Sequence, residues 1–284
     1  MMLVVTLLGT GSPIPDPHRA GPATLIQGGK ENYLVDAGRG VLMRLAAVGG
    51  SINTISAVLL THLHSDHITD LNDIITSSWI LNRPGDRTQT KPLQVVGPPG
   101  TREVIAGIIS SLSLDISYRM AHHDVLTGPP EINIIEIEDG AVNLGGQVRI
   151  RVAATDHRPV EPTIGFRFDY EKEAVVVAGD TVPCTGLDEL CKGADALVHT
   201  AMRKDIIGNL PNQPMARDIL SYHSSVEEAS QTAARAEMDT LILTHYIPTF
   251  PPDGGDDWMK IAAQHFSGSI ELGNDLHRVE IHKP

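Results

Sequence analysis

The chain contains few cysteines and no long apolar segment. Only two cysteines occur among its 284 residues, so disulfides do not hold a fold of this size together, and we expect reduced thiols in a cytoplasmic protein. No apolar run approaches the roughly 18 residues that a membrane-spanning helix needs. The sequence therefore predicts a globular protein without a membrane partner.

Basic residues are scarce relative to acidic ones. Lysine and arginine total 22, aspartate and glutamate total 35, and the formal net charge is -13. Because neutralisation of phosphates requires clustered basic side chains, an acidic chain is a poor general binder of nucleic acid. A local basic patch could still serve an RNA substrate, so the charge lowers this expectation without removing it.

Short apolar runs separated by turn residues predict an α/β fold. We expect helices over residues 41–48, 68–81, 101–112 and 226–236, and the glycines at positions 49 and 50 should end the first of them. No repeat or long linker interrupts the pattern, which favours a single domain over residues 1–284. The predicted strands cover residues 4–8, 23–26, 33–35, 57–60, 93–96, 132–137, 148–153, 165–168, 174–178 and 241–243.

The most informative segment is LLTHLHSDH at positions 59–67. An apolar run ends there, and His62, His64, Asp66 and His67 follow within six residues. Imidazole and carboxylate are ligands that Zn²⁺ accepts. If the segment stays extended, alternation places positions 62, 64 and 66 on one face. Surface histidines of a polar loop are the alternative, but close imidazoles beside a carboxylate need a shared partner, which favours a metal site.

Three further candidate ligands follow predicted strands. These are His157, Asp180 and His245. Each taken singly is equally typical of an ordinary turn. Because the ends of strands gather at one edge of an α/β fold, together they predict a site shared with the first motif.

These residues resemble the metallo-β-lactamase superfamily over nearly the whole chain. The resemblance implies the αββα fold, in which two β-sheets are sandwiched between helices. Segments LGTGS at 8–12 and YHSSVEEA at 222–229 are similar to the ribonuclease Z branch, and TDHRPVEPTIGFR at 155–167 also resembles arylsulfatase-like enzymes. The ribonuclease Z branch implies a zinc phosphodiesterase that cleaves precursor tRNA, and it implies a homodimer.

The resemblance also implies roles for the candidate residues. Asp66 would be the general base as well as a ligand, and His223 would assist the leaving group or the phosphate oxygens. Two Zn²⁺ ions would activate the attacking water, although Mn²⁺ or iron also suits such ligands. One ion would be held by His62, His64 and His157, and the other by Asp66, His67 and His245, with Asp180 bridging them.

Two features depart from the ribonuclease Z pattern. A His-Glu pair usually orients the catalytic histidine, but here the matching residues are His199 and Thr200, so we expect His223 to lose a partner. Only 22 residues separate His157 from Asp180, which leaves no room for the basic arm that grips tRNA in many bacterial members. Both departures weaken the tRNA prediction without affecting the metal site.

Other activities remain open at this point. An arylsulfatase-like or lactonase-like ester hydrolase would use the same ligands, because substrate choice lies in the surrounding loops. A non-catalytic metal-binding protein is a further alternative, although no ligand is missing. Arg19, Arg203 and Lys204 could meet a substrate anion, but ordinary surface or loop contacts explain them equally well.

Overall fold

The structure is a computed structural model that describes residues 2–81, 92–211 and 217–282. Two seven-stranded sheets form its centre. The first sheet contains β1 (Leu3–Gly9), β2 (Ala23–Gly28), β3 (Glu31–Val35), β4 (Ala57–Leu59), β5 (Leu93–Gly97), β6 (Ile132–Glu136) and β14 (His277–Glu280). The second contains β7 (Gly140–Val142), β8 (Arg149–Ala154), β9 (Ile164–Tyr170), β10 (Glu173–Val177), β11 (Ala196–Met202), β12 (Thr240–Ile247) and β13 (Ser269–Leu272).

The strand orders are β14-β1-β2-β3-β4-β5-β6 and β13-β12-β11-β10-β9-β8-β7. Helices cover the outer faces of the sheets and connect their strands. The described α-helices are α1 (Val41–Ala47), α2 (Ser65–Ile68), α3 (Leu71–Leu81), α4 (Thr101–Ser111), α5 (Ser113–His122), α6 (Thr185–Cys191), α7 (Lys204–Gly208), α8 (Val226–Arg235) and α9 (Asp256–Ala262).

Three apolar clusters hold these layers together. Side chains such as Phe166 and Val198 pack between the two sheets. Leu45 and Ile74 pack helices α1 and α3 onto the first sheet, and Ala229 packs α8 onto the second. Burial of this apolar surface on both sides of each sheet is the main favourable term in folding. The αββα architecture expected from the sequence is confirmed.

Local sequence explains where several helices begin and end. Ser225 starts α8 with a capping box, in which its hydroxyl accepts from the Glu228 amide and the Glu228 carboxylate accepts from the Ser225 amide. Gly49, with a φ of 75°, follows α1 as predicted. The predicted helix over 68–81 is present as α3, which starts three residues later at Leu71, while Ile68 is the last residue of the short helix α2.

The ten predicted strands are all present, but the sequence analysis missed others. The most important omission is β11, a fully buried strand that pairs in parallel with both β10 and β12. Its LVHTAM run mixes polar and apolar residues on both faces, so it shows no clear alternation. This strand carries His199 and Thr200 into the centre of the second sheet.

The sheet directions bring several strand ends to one edge of the molecule. Strands β3 and β4 are parallel, as are β10, β11 and β12. Strand β8 is antiparallel to β9, which is antiparallel to β10, so β8 and β10 run the same way. The segments that follow β4, β8 and β10 therefore meet near the end of β12, where α/β folds commonly bind ligands.

In the part of the chain that the structure describes, no single helix has the length and apolar composition to cross a membrane. Helices α4 and α5 meet those measures only when they are taken together, and they are bent by 58° where they join.

Candidate metal centre

The first candidate ligands follow β4, where the backbone leaves the sheet and enters α2. His62 is fully buried, His64 occupies the N-cap position of α2 without a side-chain capping hydrogen bond, and Asp66 and His67 are buried in the first turn of α2. The expectation of an extended segment is wrong for Asp66. Because α2 begins at Ser65, a helical turn and not strand alternation directs the Asp66 side chain.

The second sheet contributes His157, Asp180 and His245. His157 follows β8 and Asp180 follows β10, as expected from the sequence. His245 lies within β12, at a shift in the pairing with β11: Thr244 pairs with Thr200, but the next pair is Tyr246 with Ala201. The extra residue, His245, has a φ of 50°. Such a bulge redirects a side chain, here towards the ends of the neighbouring strands.

These seven side chains form two adjacent groups, and in each group the possible ligand atoms lie within 4.8 Å of one another. Asp180 faces both groups. Its Oδ2 lies 3.9 Å from His62 Nε2 and 3.4 Å from His245 Nε2. One carboxylate is therefore within reach of two neighbouring cations. The first group is His62, His64, His157 and Asp180, and the second is Asp66, His67 and His245.

Asp36, at the end of β3, supports this arrangement and was missed by the sequence analysis. Its Oδ2 accepts a hydrogen bond from His67 Nδ1 at 2.8 Å, and its Oδ1 accepts from the Thr61 amide at 2.9 Å. Since Nδ1 carries the proton, His67 Nε2 is directed into the centre, as in metal sites whose histidines are held by an outer carboxylate. The available signal was an aspartate at a strand end, the same pattern that identified Asp180.

Two other buried histidines are oriented in the same way. His157 Nδ1 donates to the carbonyl oxygen of Tyr222 at 2.7 Å, which leaves a lone pair on Nε2. His62 Nδ1 lies 3.0 Å from Thr61 Oγ1, and its Nε2 also faces the group. These contacts fix the ring orientation before any ligand binds, which is the usual function of a second layer of hydrogen bonds around a metal.

Burial keeps part of this cluster uncharged. Burial lowers the pKa of His157 to about 4 and holds the pKa of His62 well below its ordinary value. Both rings are therefore neutral near pH 7. A neutral imidazole is the form that binds a metal, so no proton must be removed from these two rings first.

The carboxylates attract positive charge into the centre. Burial opposes the charge on His67, but Asp36 and Asp180 raise its pKa well above the ordinary value. Burial likewise opposes ionisation of Asp180, but His245 and His67 lower its pKa well below the usual range. Among the described residues, His67 Nε2 and Asp180 Oδ1 are buried without a hydrogen-bond partner. A divalent cation would satisfy both atoms, so the residues fit a metal centre.

His223 lies beside this centre, directly before α8. Its Nε2 is 3.3 Å from Asp180 Oδ2, and its Nδ1 donates to the Ile219 carbonyl oxygen at 3.1 Å. Thr200 does not contact His223 through a hydrogen bond; its hydroxyl donates to the Gly179 carbonyl at 3.3 Å. The partner that we expected His223 to lose is thus replaced by a backbone carbonyl.

Arg19 is not available to a substrate. It is buried, its guanidinium donates to Thr10 Oγ1 at 2.7 Å and to Asn274 Oδ1 at 3.0 Å, and it stacks over the rings of Tyr246 and Phe250. These contacts tie the loop after β1 to the segment after β12. The loop-contact interpretation of Arg19 is therefore correct.

The basic pair after β11 is also engaged within the protein. Arg203 forms an ion pair with Asp205 at 2.7 Å, and Lys204 forms one with Glu228 at 2.7 Å. Neighbouring carboxylates thus offset both charges, which reduces their attraction for a distant phosphate.

Comparisons with known proteins agree with this fold. The beta-lactamase superfamily domain matches residues 31–246. A Mycolicibacterium gilvum (strain PYR-GCK) protein named Ribonuclease Z is 57% identical over 281 residues, which are 99% of this chain and 97% of that one. A Mycobacterium avium (strain 104) protein with the same name is 54% identical over 283 residues and covers 100% of both chains.

Solved structures show the same architecture at lower sequence identity. The human tRNase Z short form is 22% identical, covers 99% of this chain and 100% of its own, and superposes with a TM-score of 0.71. The metallo-beta-lactamase fold protein YhfI from Bacillus subtilis is 21% identical, covers 98% of both chains and has a TM-score of 0.73.

Fold and site together define a metal-dependent hydrolase of the beta-lactamase superfamily. The chain shares more than half of its residues, over nearly its full length, with several relatives named Ribonuclease Z. This sequence identity shows the family to which it belongs. Within the superfamily, the chain belongs to the ribonuclease Z family.

Proposed function

We propose that this protein is a zinc-dependent phosphodiesterase that cleaves precursor tRNA at its 3′ side. The observation that carries the proposal is an intact set of seven candidate ligands in a chain similar over its full length to proteins named Ribonuclease Z. We further infer a single domain over residues 1–284 that acts as a cytoplasmic homodimer. Sedimentation of the purified protein, with a mass twice that of the chain, would support the dimer.

The metal assignment follows the two groups of side chains. His62, His64 and His157 would hold one Zn²⁺, and Asp66, His67 and His245 would hold the other. Asp180 would bridge them, because its carboxylate faces both groups. When bound, the cations would activate water and neutralise charge that develops on the phosphate.

Two side chains of this protein would handle protons. Burial opposes ionisation of Asp66, but hydrogen bonding from His245 and the charge on His67 lower its pKa, so the carboxylate is ionised and can accept a proton. His223 is fixed by Ile219 and lies against the bridging Asp180. From that position its ring can contact a phosphate oxygen or the leaving oxygen of a bound substrate.

A smaller phosphodiester is the second candidate, because the tRNA-binding arm is missing. Within residues 158–179, residues 164–177 form β9, β10 and the tight turn between them. This feature does not separate the chain from its relatives, since the alignment already covers 97% of the Mycolicibacterium gilvum protein. Aryl sulfates and lactones are the remaining substrates to test on the same centre.

The test compares Asp66→Asn with Asp73→Asn, which changes an exposed carboxylate on α3. We expect the zinc-loaded wild type to cleave both precursor tRNA and bis-p-nitrophenyl phosphate. Loss of a general base should lower both rates by about 10²–10⁴-fold in Asp66→Asn, whereas Asp73→Asn should match the wild type. Elemental analysis should find two zinc ions per chain.

Other outcomes would change the proposal. Cleavage of the small diester alone would assign a small-molecule phosphodiesterase. Failure on both substrates, followed by turnover of an aryl sulfate or a lactone, would replace the phosphodiesterase assignment. Two bound metals without turnover of any ester would indicate a non-catalytic protein.

A further inference from the structure

One of the two ring nitrogens of His245, Nδ1, lacks a hydrogen-bond partner among the described residues. Its Nε2 faces Asp66 Oδ2 at 3.2 Å and Asp180 Oδ2 at 3.4 Å, so this nitrogen belongs to the metal centre. Its Nδ1 is fully buried, and no described residue forms a hydrogen bond with it. His67 and His157 differ, because each donates its Nδ1 proton to an acceptor. A buried donor without an acceptor costs about 1–3 kcal/mol, so this one requires an explanation.

A small cavity is lined in part by His245. Its volume is about 20 Å³, and it sits between the two sheets, directly behind the metal centre. By this measure one water molecule needs about 10–15 Å³. Several residues that line the cavity carry polar side chains: besides His245, they include Thr24, Asp36, Thr200 and Thr244. A cavity of this size holds one buried water where the water finds two to four polar partners.

Strand register explains why two threonines face this cavity. Thr200 on β11 pairs with Thr244 on β12, two residues beyond the pair Val198 and Ile242. Those two apolar residues pack in the core between the sheets, so by alternation both threonine side chains point into the same layer. Thr200 Oγ1 already donates to the Gly179 carbonyl, which leaves its lone pairs free to accept a hydrogen bond.

We propose that this cavity holds one water molecule, which accepts a hydrogen bond from His245 Nδ1 and is held by the hydroxyls of Thr200 and Thr244. The water would donate its two protons to these oxygens or to Asp36. Thr200 and Thr244 are then positioning residues, because they fix the His245 ring through the water. The expected effect on metal affinity rests on the proposed metal centre. The presence of the water can be tested without any substrate.

The functional consequence concerns metal affinity. Loss of an outer hydrogen-bond partner of a ligand typically lowers metal affinity by about 10–100-fold. Thr200→Val and Thr244→Val remove a hydroxyl while keeping the shape of the side chain, so we expect at least about a 10-fold loss of zinc affinity at the group formed by Asp66, His67 and His245. Thr200→Ser keeps the hydroxyl and should retain the wild-type affinity.

Thr232→Val is the matched control. Thr232 is equally buried, but it lies on α8 and its hydroxyl donates to the Glu228 carbonyl of its own helix. Zinc affinity is measured for all four variants by competition with a chelator. Apo and zinc-loaded crystals of the wild type provide the second readout, since they show directly whether a water lies within hydrogen-bond distance of His245 Nδ1.

A water at that position, together with affinity losses confined to Thr200→Val and Thr244→Val, would support the proposal. An empty cavity in both crystal forms would overturn it, as would valine variants that bind zinc like Thr232→Val. If a valine variant does not fold, the crystals and Thr200→Ser still decide. Failure of tRNA or diester cleavage would bear on the proposed function alone, because neither readout involves a substrate.

Discussion

Asp36 provides the sharpest test of the proposed centre, because it touches a ligand but is not one. Asp36→Asn keeps the shape of the side chain and replaces one oxygen by an amide NH₂. In the wild type, both carboxylate oxygens accept hydrogen bonds, one from the Thr61 amide and the other from His67 Nδ1. The NH₂ group of an asparagine at this position would therefore face a donor in either orientation of the amide.

The magnitude follows from that conflict. A buried donor left unpaired costs about 1–3 kcal/mol of stability. Loss of the charged partner of His67 should also lower metal affinity by about 10–100-fold, or about 1.4–2.8 kcal/mol. We expect the larger loss at the group formed by Asp66, His67 and His245, because Asp36 contacts His67 directly but reaches His62 only through the Thr61 hydroxyl.

Chelator competition with zinc measures both binding steps, and urea unfolding of the metal-free protein measures stability. Asp195→Asn is the control, since Asp195 is equally buried but precedes β11 at the opposite end of the strand, where it accepts from the Ala174 amide at 2.6 Å. It should lose stability without loss of zinc affinity. If Asp36→Asn bound both zinc ions as tightly as Asp195→Asn, the orienting role of Asp36 would be refuted.

Two further predictions concern stability. Gly179→Ala places a Cβ 2.7 Å from Thr61 Cβ at a φ of 68°, whereas Gly193→Ala at a φ of 64° meets no atom within 4 Å. Urea unfolding should therefore show a cost of about 1–2 kcal/mol for Gly193→Ala and a larger one for Gly179→Ala, and equal costs would contradict the predicted overlap. Burial lowers the pKa of His199 to about 4. In the unfolded chain the pKa of this histidine is about 6.5, so the unfolded state binds the proton first as pH decreases. The free energy of unfolding should therefore fall by up to about 3 kcal/mol between pH 6.5 and pH 4, and it should fall less in His199→Gln.

The candidate ligands could be proposed from the sequence because four of them lie at or near the end of an apolar strand, and the other three share a motif with the first. His62, His157, Asp180 and His245 all follow or interrupt such a strand, and the close spacing of the first motif marked it as more than a polar loop. Strand ends in an α/β fold meet at one edge. A ligand-type residue directly after an apolar strand was therefore enough to predict that these side chains lie together at that edge. The resemblance supplied the αββα architecture.

The direction of individual side chains could not be predicted in the same way. Asp66 is aimed by the start of α2, and His245 by a bulge that exists only when β12 pairs with β11. Asp36 and the Tyr222 carbonyl lie 31 and 65 residues from the histidines they orient. Hydrogen bonds between such distant residues form only after the sheets have assembled.

The sequence by itself thus determined the chemistry of the centre: which side chains can bind a metal, and that they would gather at one edge. Only the tertiary structure decided how they are held. In the folded protein Arg19 lies in a buried hydrogen-bond network, and His223 donates a hydrogen bond to the Ile219 carbonyl. Thr200 and His245 line the same cavity. The reason is physical. Side-chain identity is a local property of the chain, whereas burial and hydrogen-bond partners depend on which segments pack together.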